Sequence, residues 1–329
     1  MLKKEAIVIG GGPCGLSTAI ALQEIGMNPL VIEKGNVVNS LYNYPTHQTF
    51  FSSSEKLEIG NVAFITENRK PVRNQALAYY REVVIRKNIN VHAFERVEKV
   101  EKNGNGTFIV TTSKEQYETP YVVVATGYYD QPNLLNVPGE NLPHVFHYFK
   151  EAHPYFDCNV TVLGGKNSSV DAALELVKAG ARVTVLYRGS EYSKSVKPWI
   201  LPEFEALVRN GTIKMEFNAE VKSISEGHVV YTVNKAVEKQ IVAQFVFAMI
   251  GYHPDHQFLK NMGVLIDEES GRPCFNQETM ETNVSGLFIA GVIAAGNNAN
   301  EIFIENGRFH GELIAKRIDE SKQAESCKN

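Results

Sequence analysis

The residue types best suited to chemistry in this chain gather in two short glycine-rich strings. In the first, Gly10, Gly12 and Gly15 form G-x-G-x-x-G directly after the apolar run Ala6-Ile7-Val8-Ile9, with Pro13 and Cys14 inside the string. Read as strand, turn and helix start, the first glycine permits the tight turn and the second lets backbone approach a pyrophosphate. The third lets helix and strand pack closely. A helix start also offers unpaired N–H groups and the positive end of a dipole to phosphates. Glu33, followed by Lys34, closes the next apolar run from Pro29, near the spacing of about 20 residues at which an acid accepts ribose hydroxyls. Strand, loop, helix and acid in this register predict a bound dinucleotide.

The pattern returns about one domain length later. Val160 to Leu163 lead into Gly164-Gly165-Lys166-Asn167-Ser168-Ser169, then a helix through Leu176 closed by Gly180, then the strand Val183 to Tyr187. Lys166 takes the second glycine position and Ser169 the third. A lysine there favours phosphate by charge, although its backbone approaches less freely than glycine. The second strand runs into Arg188 instead of an acid, with Lys194 and Lys197 close behind. An acid would accept the ribose hydroxyls of NAD, whereas an arginine suits the 2′-phosphate of NADP. The residues Gly164 to Ser169, with Arg188 and Lys194, therefore point to NADPH, the alternative for the lysines being a solvated surface.

Cys14 opens a third line of chemistry. A helix N-terminus lowers a thiol pKa, and a thiolate could attack a small disulfide to form a mixed disulfide. Against this, a pyrophosphate at the same terminus opposes a second negative charge. The reading of Cys14 as a small residue filling the turn stays open. Cys158 and Cys274 read as inert core or loop thiols, and Cys327 sits on a polar tail. His144, His147 and His153 lack carboxylate or cysteine partners at ligand spacing, so no metal is expected. His47, among Tyr44, Phe50, Phe51 and the serines 52 to 54, is the candidate proton donor.

The elements that must position these residues follow from composition and pattern. A chain of 329 residues, 43% hydrophobic, can bury two modest cores. Its net charge of −4 gives no reason to expect nucleic acid or an anionic membrane as partner. Four cysteines without a C-x-x-C pair fit a reducing cytoplasm rather than a disulfide framework. The opening apolar run, broken by Gly10 to Pro13, does not read as a secretory signal, and no stretch reaches the roughly 20 apolar residues of a membrane span. Tyr121 to Gly127, Val246 to Gly251 and Gly286 to Gly291 read as buried strands ending in glycine turns. A helix is expected from Glu301 to Arg317, followed by a polar, frayed tail from Asp319. The chain divides on this reading into segments 1–128, 129–251 and 252–329.

Taken in order, these strings resemble the two-dinucleotide-binding flavoproteins related to low-molecular-weight thioredoxin reductases. The shared features are Gly10 to Gly15 with Glu33, Ala125-Thr126-Gly127, Gly164 to Ser169, the Gly251-to-Pro254 turn and Gly286 to Gly291. The resemblance implies an α/β fold of two Rossmann-type domains, with an NADPH domain inserted into a discontinuous FAD domain. It also implies an FAD site made of Gly10, Gly12, Pro13, Cys14, Gly15, Glu33, Lys34, Thr126, Gly127, Gly291, Glu301 and Ile302; Gly251, at the second crossing between domains, is a further expected cofactor-binding residue. Two departures stand out. Where those reductases carry a redox C-x-x-C, this chain reads His147-Tyr148-Phe149-Lys150. Where they carry Gly-Asp, it reads Gly291-Val292.

A narrower likeness rests on Gly-Gly-Gly-Pro-Cys-Gly, on the run Tyr42 to Ser52 and on Gly-Gly-Lys-Asn-Ser-Ser. Together these are similar to the bacillithiol-disulfide reductases of Gram-positive bacteria. That likeness implies electron flow from NADPH through FAD to the disulfide of a small thiol; homo-oligomers are expected by resemblance alone. Alternatives are an NADPH-dependent flavin monooxygenase, whose F-x-G-x-x-x-H string is absent, and a ferredoxin–NADP reductase, whose C-terminal aromatic is absent. A flavin-bound redox sensor without turnover is the non-enzymatic alternative.

Overall fold

Short runs such as Ile7–Ile9, Leu30–Ile32 and Val122–Val124 are apolar at every position, the signature of strands covered on both faces of a parallel sheet. In the computed structural model, which describes residues 1–298 and 300–326, every residue of these runs is buried. Cys327 lies outside the described residues. The chain forms two compact units, one of Met1–Gln131 with His253–Asn329 and one of Pro132–Tyr252.

The discontinuous unit is built on a five-stranded sheet in the order Leu287–Ile289, Val122–Val124, Ile7–Ile9, Leu30–Ile32, Val91–His92, parallel throughout. The helix Pro13–Glu24 makes the crossover between the third and fourth of these, and Gly26, at φ 78°, ends it. A second sheet runs Leu2–Lys3, Gln116–Thr119, Phe108–Thr112, Val97–Lys102. Its strand Phe108–Thr112 alternates buried and half-buried residues, as one covered face requires.

The C-terminal part differs from expectation. Instead of one helix from Glu301 and a frayed tail, there is a 3₁₀ turn Gly291–Ala295, a short helix Ile304–Gly307 and a long helix His310–Ser326. Asn306-Gly307 is a poor helix interior, and Asn306 Oδ1 instead accepts the Phe303 N–H at 2.7 Å. The long helix persists through polar sequence because Ile314, Ala315 and Ile318 are buried along one stripe. It crosses the first glycine helix backbone to backbone: a Cβ on Gly311 would lie 2.6 Å from Thr18 Cα.

The second unit repeats the plan. Its parallel sheet runs Ile213–Glu216, Arg182–Leu186, Asn159–Leu163, Phe245–Ala248, Val145–Phe146, with the helix Asn167–Lys178 as crossover. A three-stranded antiparallel sheet, Ala219–Ser225, His228–Val233 and Val237–Val242, completes it. Val160, Val162, Val183, Val185, Phe204 and Phe247 share its core. Where the chain enters and leaves this unit, Asn133 N–H donates to Gly251 at 2.9 Å and Pro132 bridges Tyr252. Both units are thus α/β and of the Rossmann type.

Candidate dinucleotide sites

The first glycine helix starts at Pro13, because proline's fixed φ suits the first helical position. Cys14 is therefore inside the first turn, and Gly12 is the N-cap. Gly10, at φ 112°, passes so close to Ala125 that a Cβ would sit 2.5 Å from its carbonyl oxygen. At Gly15 a Cβ would meet the Gly10 carbonyl oxygen at 2.0 Å, the close packing expected of the third glycine. Gly12 is different: no atom lies within 4 Å of a Cβ there, so its outer face is open.

Glu33 is buried at the end of its strand and accepts the Gly11 N–H at 2.7 Å and the Gly35 N–H at 2.8 Å. Burial raises its carboxyl pKa, and the two backbone N–H groups offset part of that rise. Lys34 pairs with Asp130 at 3.0 Å. Thr126 Oγ1 is buried without a partner, and a Cβ on Gly127, at φ 70°, would lie 3.9 Å from the Val292 side chain. An open N-cap, a buried acid and an orphaned hydroxyl fit a dinucleotide. Gly10 to Gly15, Glu33 and Thr126 are the residues that would hold FAD here.

Sequence reasoning missed the continuation of this site. An open cavity of about 380 Å³ beside Glu33 is lined by Lys34, Gly35, Asn39, Phe94, Arg96 and Ser113. Phe94, at φ 56°, and Arg96 reach it because Glu33 donates its N–H to His92 at 2.9 Å and accepts that of Glu95 at 3.0 Å. The Glu95 carboxylate is buried and accepts Thr112 Oγ1 at 2.7 Å and Tyr117 OH at 2.9 Å, fixing the segment. Nothing in the local run His92 to Arg96 signals these partners.

Cys14 departs from the thiolate expectation. The residue is half-buried, but its Sγ faces inward, 3.0 Å from where a Cβ on either Gly291 or Gly307 would stand. Burial pushes the thiol pKa up to about 12, against the lowering expected at a helix N-terminus. Beside it, His310 Nδ1 accepts the Gly291 N–H at 3.1 Å, and burial lowers the His310 pKa. The absence of local signal for His310 follows from its place in what reads as mid-helix. Ile302 packs against the Gly307 position, but Glu301 does not open a helix: its carboxylate is taken by Arg272 and by Asn298 Nδ2, the latter at 3.2 Å. His47 is exposed, in the turn closed by the Gln48-to-Pro45 bond of 3.0 Å. Cys158 is half-buried, its Sγ 3.4 Å from the Phe156 carbonyl oxygen, and Cys274 is exposed.

In the second unit, Gly164 carries the conformation only glycine adopts readily, at φ 129°. Lys166 is extended, at φ −107° and ψ −170°, so the expected backbone penalty for lysine is absent. Ser169 is fully buried and its Oγ donates to the Lys166 carbonyl at 2.8 Å, doing the packing job of the third glycine. Ser168, Lys166, Arg188 and Lys194 are exposed, and among the described residues no ion pair engages the three cations. Gly251 is exposed, at φ 95°, in the segment by which the chain leaves this unit. Among the described residues no cluster of three or more His, Cys, Asp or Glu could hold a metal, and no helix is long and apolar enough to cross a membrane.

The geometry can be set beside known proteins. A family described as pyridine nucleotide-disulphide oxidoreductase matches residues 7–291, which include both glycine loops. The chain belongs to that family. Bacilliredoxin reductase Bdr of Bacillus subtilis is 73% identical over 97% of this chain and 98% of its own length. The solved bacillithiol disulfide reductase Bdr (YpdA) from Bacillus cereus is 70% identical with a TM-score of 0.95, covering 97% of this chain and 99% of that one. The protein of the same name from Staphylococcus aureus is 60% identical with a TM-score of 0.95, over 98% and 100% of the two chains. As a pyridine nucleotide-disulphide oxidoreductase, this protein is an enzyme that works with FAD and a nicotinamide dinucleotide.

Proposed function

We propose that this protein is an FAD-containing, NADPH-dependent reductase of a low-molecular-weight disulfide, bacillithiol disulfide, acting in the cytoplasm as a homo-oligomer. The observation that carries the reading is near-full-length identity of 73% and 70% to proteins named for bacilliredoxin and for bacillithiol disulfide. Gly10 to Gly15, Glu33, Lys34, Thr126, Gly127, Gly291 and Ile302 are assigned to FAD, in the discontinuous unit. Gly164 to Ser169, Arg188 and Lys194 are assigned to NADPH, in the inserted unit, because the strand ends in an arginine without an acid. Bound FAD supplies two-electron chemistry, taking hydride from the nicotinamide and returning electrons to a disulfide.

Cys14 is the thiol assigned to exchange with the substrate, on its place in the first turn beside the FAD loop. A second reading has its own observation: a thiol wedged against Gly291 and Gly307 and held near 12 is protonated at neutral pH and suits packing better than nucleophilic attack. NADPH oxidation is to be followed under argon, with and without oxidised bacillithiol, for wild type and Cys14→Ser. Disulfide-dependent oxidation lost in the variant, with flavin retained, supports both assignments. Full turnover in Cys14→Ser leaves the reductase and assigns the cysteine to packing. Oxidation that ignores the disulfide and needs oxygen overturns the reductase reading in favour of an oxidase or monooxygenase.

A further inference from the structure

Asn167 opens the second glycine helix. Here both ends of the amide are committed to the chain itself. Nδ2 donates to the Ser195 carbonyl at 2.9 Å, and Oδ1 accepts the Lys197 N–H at 2.9 Å. The segment it grips belongs to no strand or helix. It is otherwise held by the Ser193–Ser195 hydroxyl pair at 2.8 Å, by the Val196 N–H bond to the Ser193 carbonyl at 3.0 Å, and by burial of Val196. Lys194 projects from that segment and is exposed.

A second contact fixes the backbone on either side of the other cation. The Tyr187 ring lies across two glycines: a Cβ on Gly165 or on Gly189 would come within 2.4 Å of it. That ring ties the start of Arg188 to the same glycine loop that Asn167 ties to residues 193–197. Two cation-bearing segments therefore converge on one loop, and the Asn167 amide bonds the loop to the second of them at both its ends.

We propose that Asn167 is a specificity-determining positioning residue. Its side chain holds the 193–197 segment beside Arg188 and so creates the site for the 2′-phosphate that distinguishes NADPH from NADH. This rests on the assignment of NADPH to the second unit.

The test is calorimetric titration of the full-length flavoprotein with adenosine 2′,5′-bisphosphate and with adenosine 5′-monophosphate, alongside KM for NADPH and NADH. In Asn167→Ala the bisphosphate is expected to bind roughly tenfold more weakly, the effect of one or two lost hydrogen bonds, with the monophosphate unchanged. KM for NADPH rises in step, and KM for NADH does not. Equal weakening of both ligands, or none, overturns the inference, and Arg188→Ala then separates it from its premise. If Arg188→Ala still selectively loses the bisphosphate, the NADPH assignment stands and only the role of Asn167 falls. If wild type binds the two ligands alike and Arg188→Ala changes nothing, both fall. Should Asn167→Ala fail to fold by circular dichroism, Ser193→Ala, which removes the hydroxyl pair, is judged by the same criterion.

Discussion

Single atoms decide whether the first loop is a phosphate cradle or a plain turn. Gly12 has open space where a side chain would go, while Gly10 and Gly15 do not. Gly12→Ala should therefore leave the melting temperature of the flavin-free protein within a few degrees of wild type and lower flavin content sharply, since the added methyl fills only the volume a pyrophosphate needs. Flavin-to-protein absorbance after gel filtration, with a melt of the stripped protein, checks both halves. A variant that keeps its flavin would detach that glycine from the cofactor. At this scale the sequence was legible wherever neighbours along the chain carry the signal, as with Gly10 to Gly15 and Glu33. It left Cys14 open between thiolate and packing, because the thiol is governed by Gly291 and Gly307, contacts made across almost the whole chain. The low thiol pKa inferred from the helix start failed because burial outweighs the dipole.

Among elements, the two glycine helices carry the predictions. Gly311 lets the C-terminal helix touch the first glycine helix at Thr18, and Gly311→Ala is expected to cost about 1–3 kcal/mol by forcing the helices apart. Urea melts read the loss, and reduced flavin retention should accompany it. On the second glycine helix, burial raises the Asp171 pKa from 3.8 to about 6, with Glu175 adding to the rise. Between those values the unfolded chain has released a proton that the fold retains, so stability falls as pH rises through this window and stays lower above it. Asp171→Asn should match wild type near pH 4 and be more stable above pH 6 by on the order of 1–3 kcal/mol. Thermal melts across pH 4 to 7 decide it; a gain independent of pH would mean the carboxyl does not titrate as described. The parallel strands and both glycine helices were readable from apolar runs and punctuation by glycine. The C-terminal helix was readable in its existence but not in its bounds, because its apolar stripe is only Ile314, Ala315 and Ile318 within polar sequence, and Asn306-Gly307 hides the true start.

For the molecule as a whole, the inserted unit begins and ends on neighbouring segments, joined by the Pro132–Tyr252 bridge and the Asn133-to-Gly251 bond of 2.9 Å. Residues 132–252 expressed alone are expected to fold cooperatively and to bind adenosine 2′,5′-bisphosphate without flavin; an unfolded fragment by circular dichroism would show that its core is not self-sufficient. The discontinuous unit has no such independence in time. Its sheet places Leu287–Ile289 beside Val122–Val124, so the outer strand leaves the ribosome only after the entire inserted unit has been made. During that interval the nascent chain presents Val122–Val124 as an open, wholly apolar edge, the kind of surface that recruits chaperones or mispairs with another chain. On the proposed assignment of FAD to this unit, flavin loading is a late event in the life of the polypeptide, and slow codons placed after the inserted unit would lengthen the window in which that edge is unguarded.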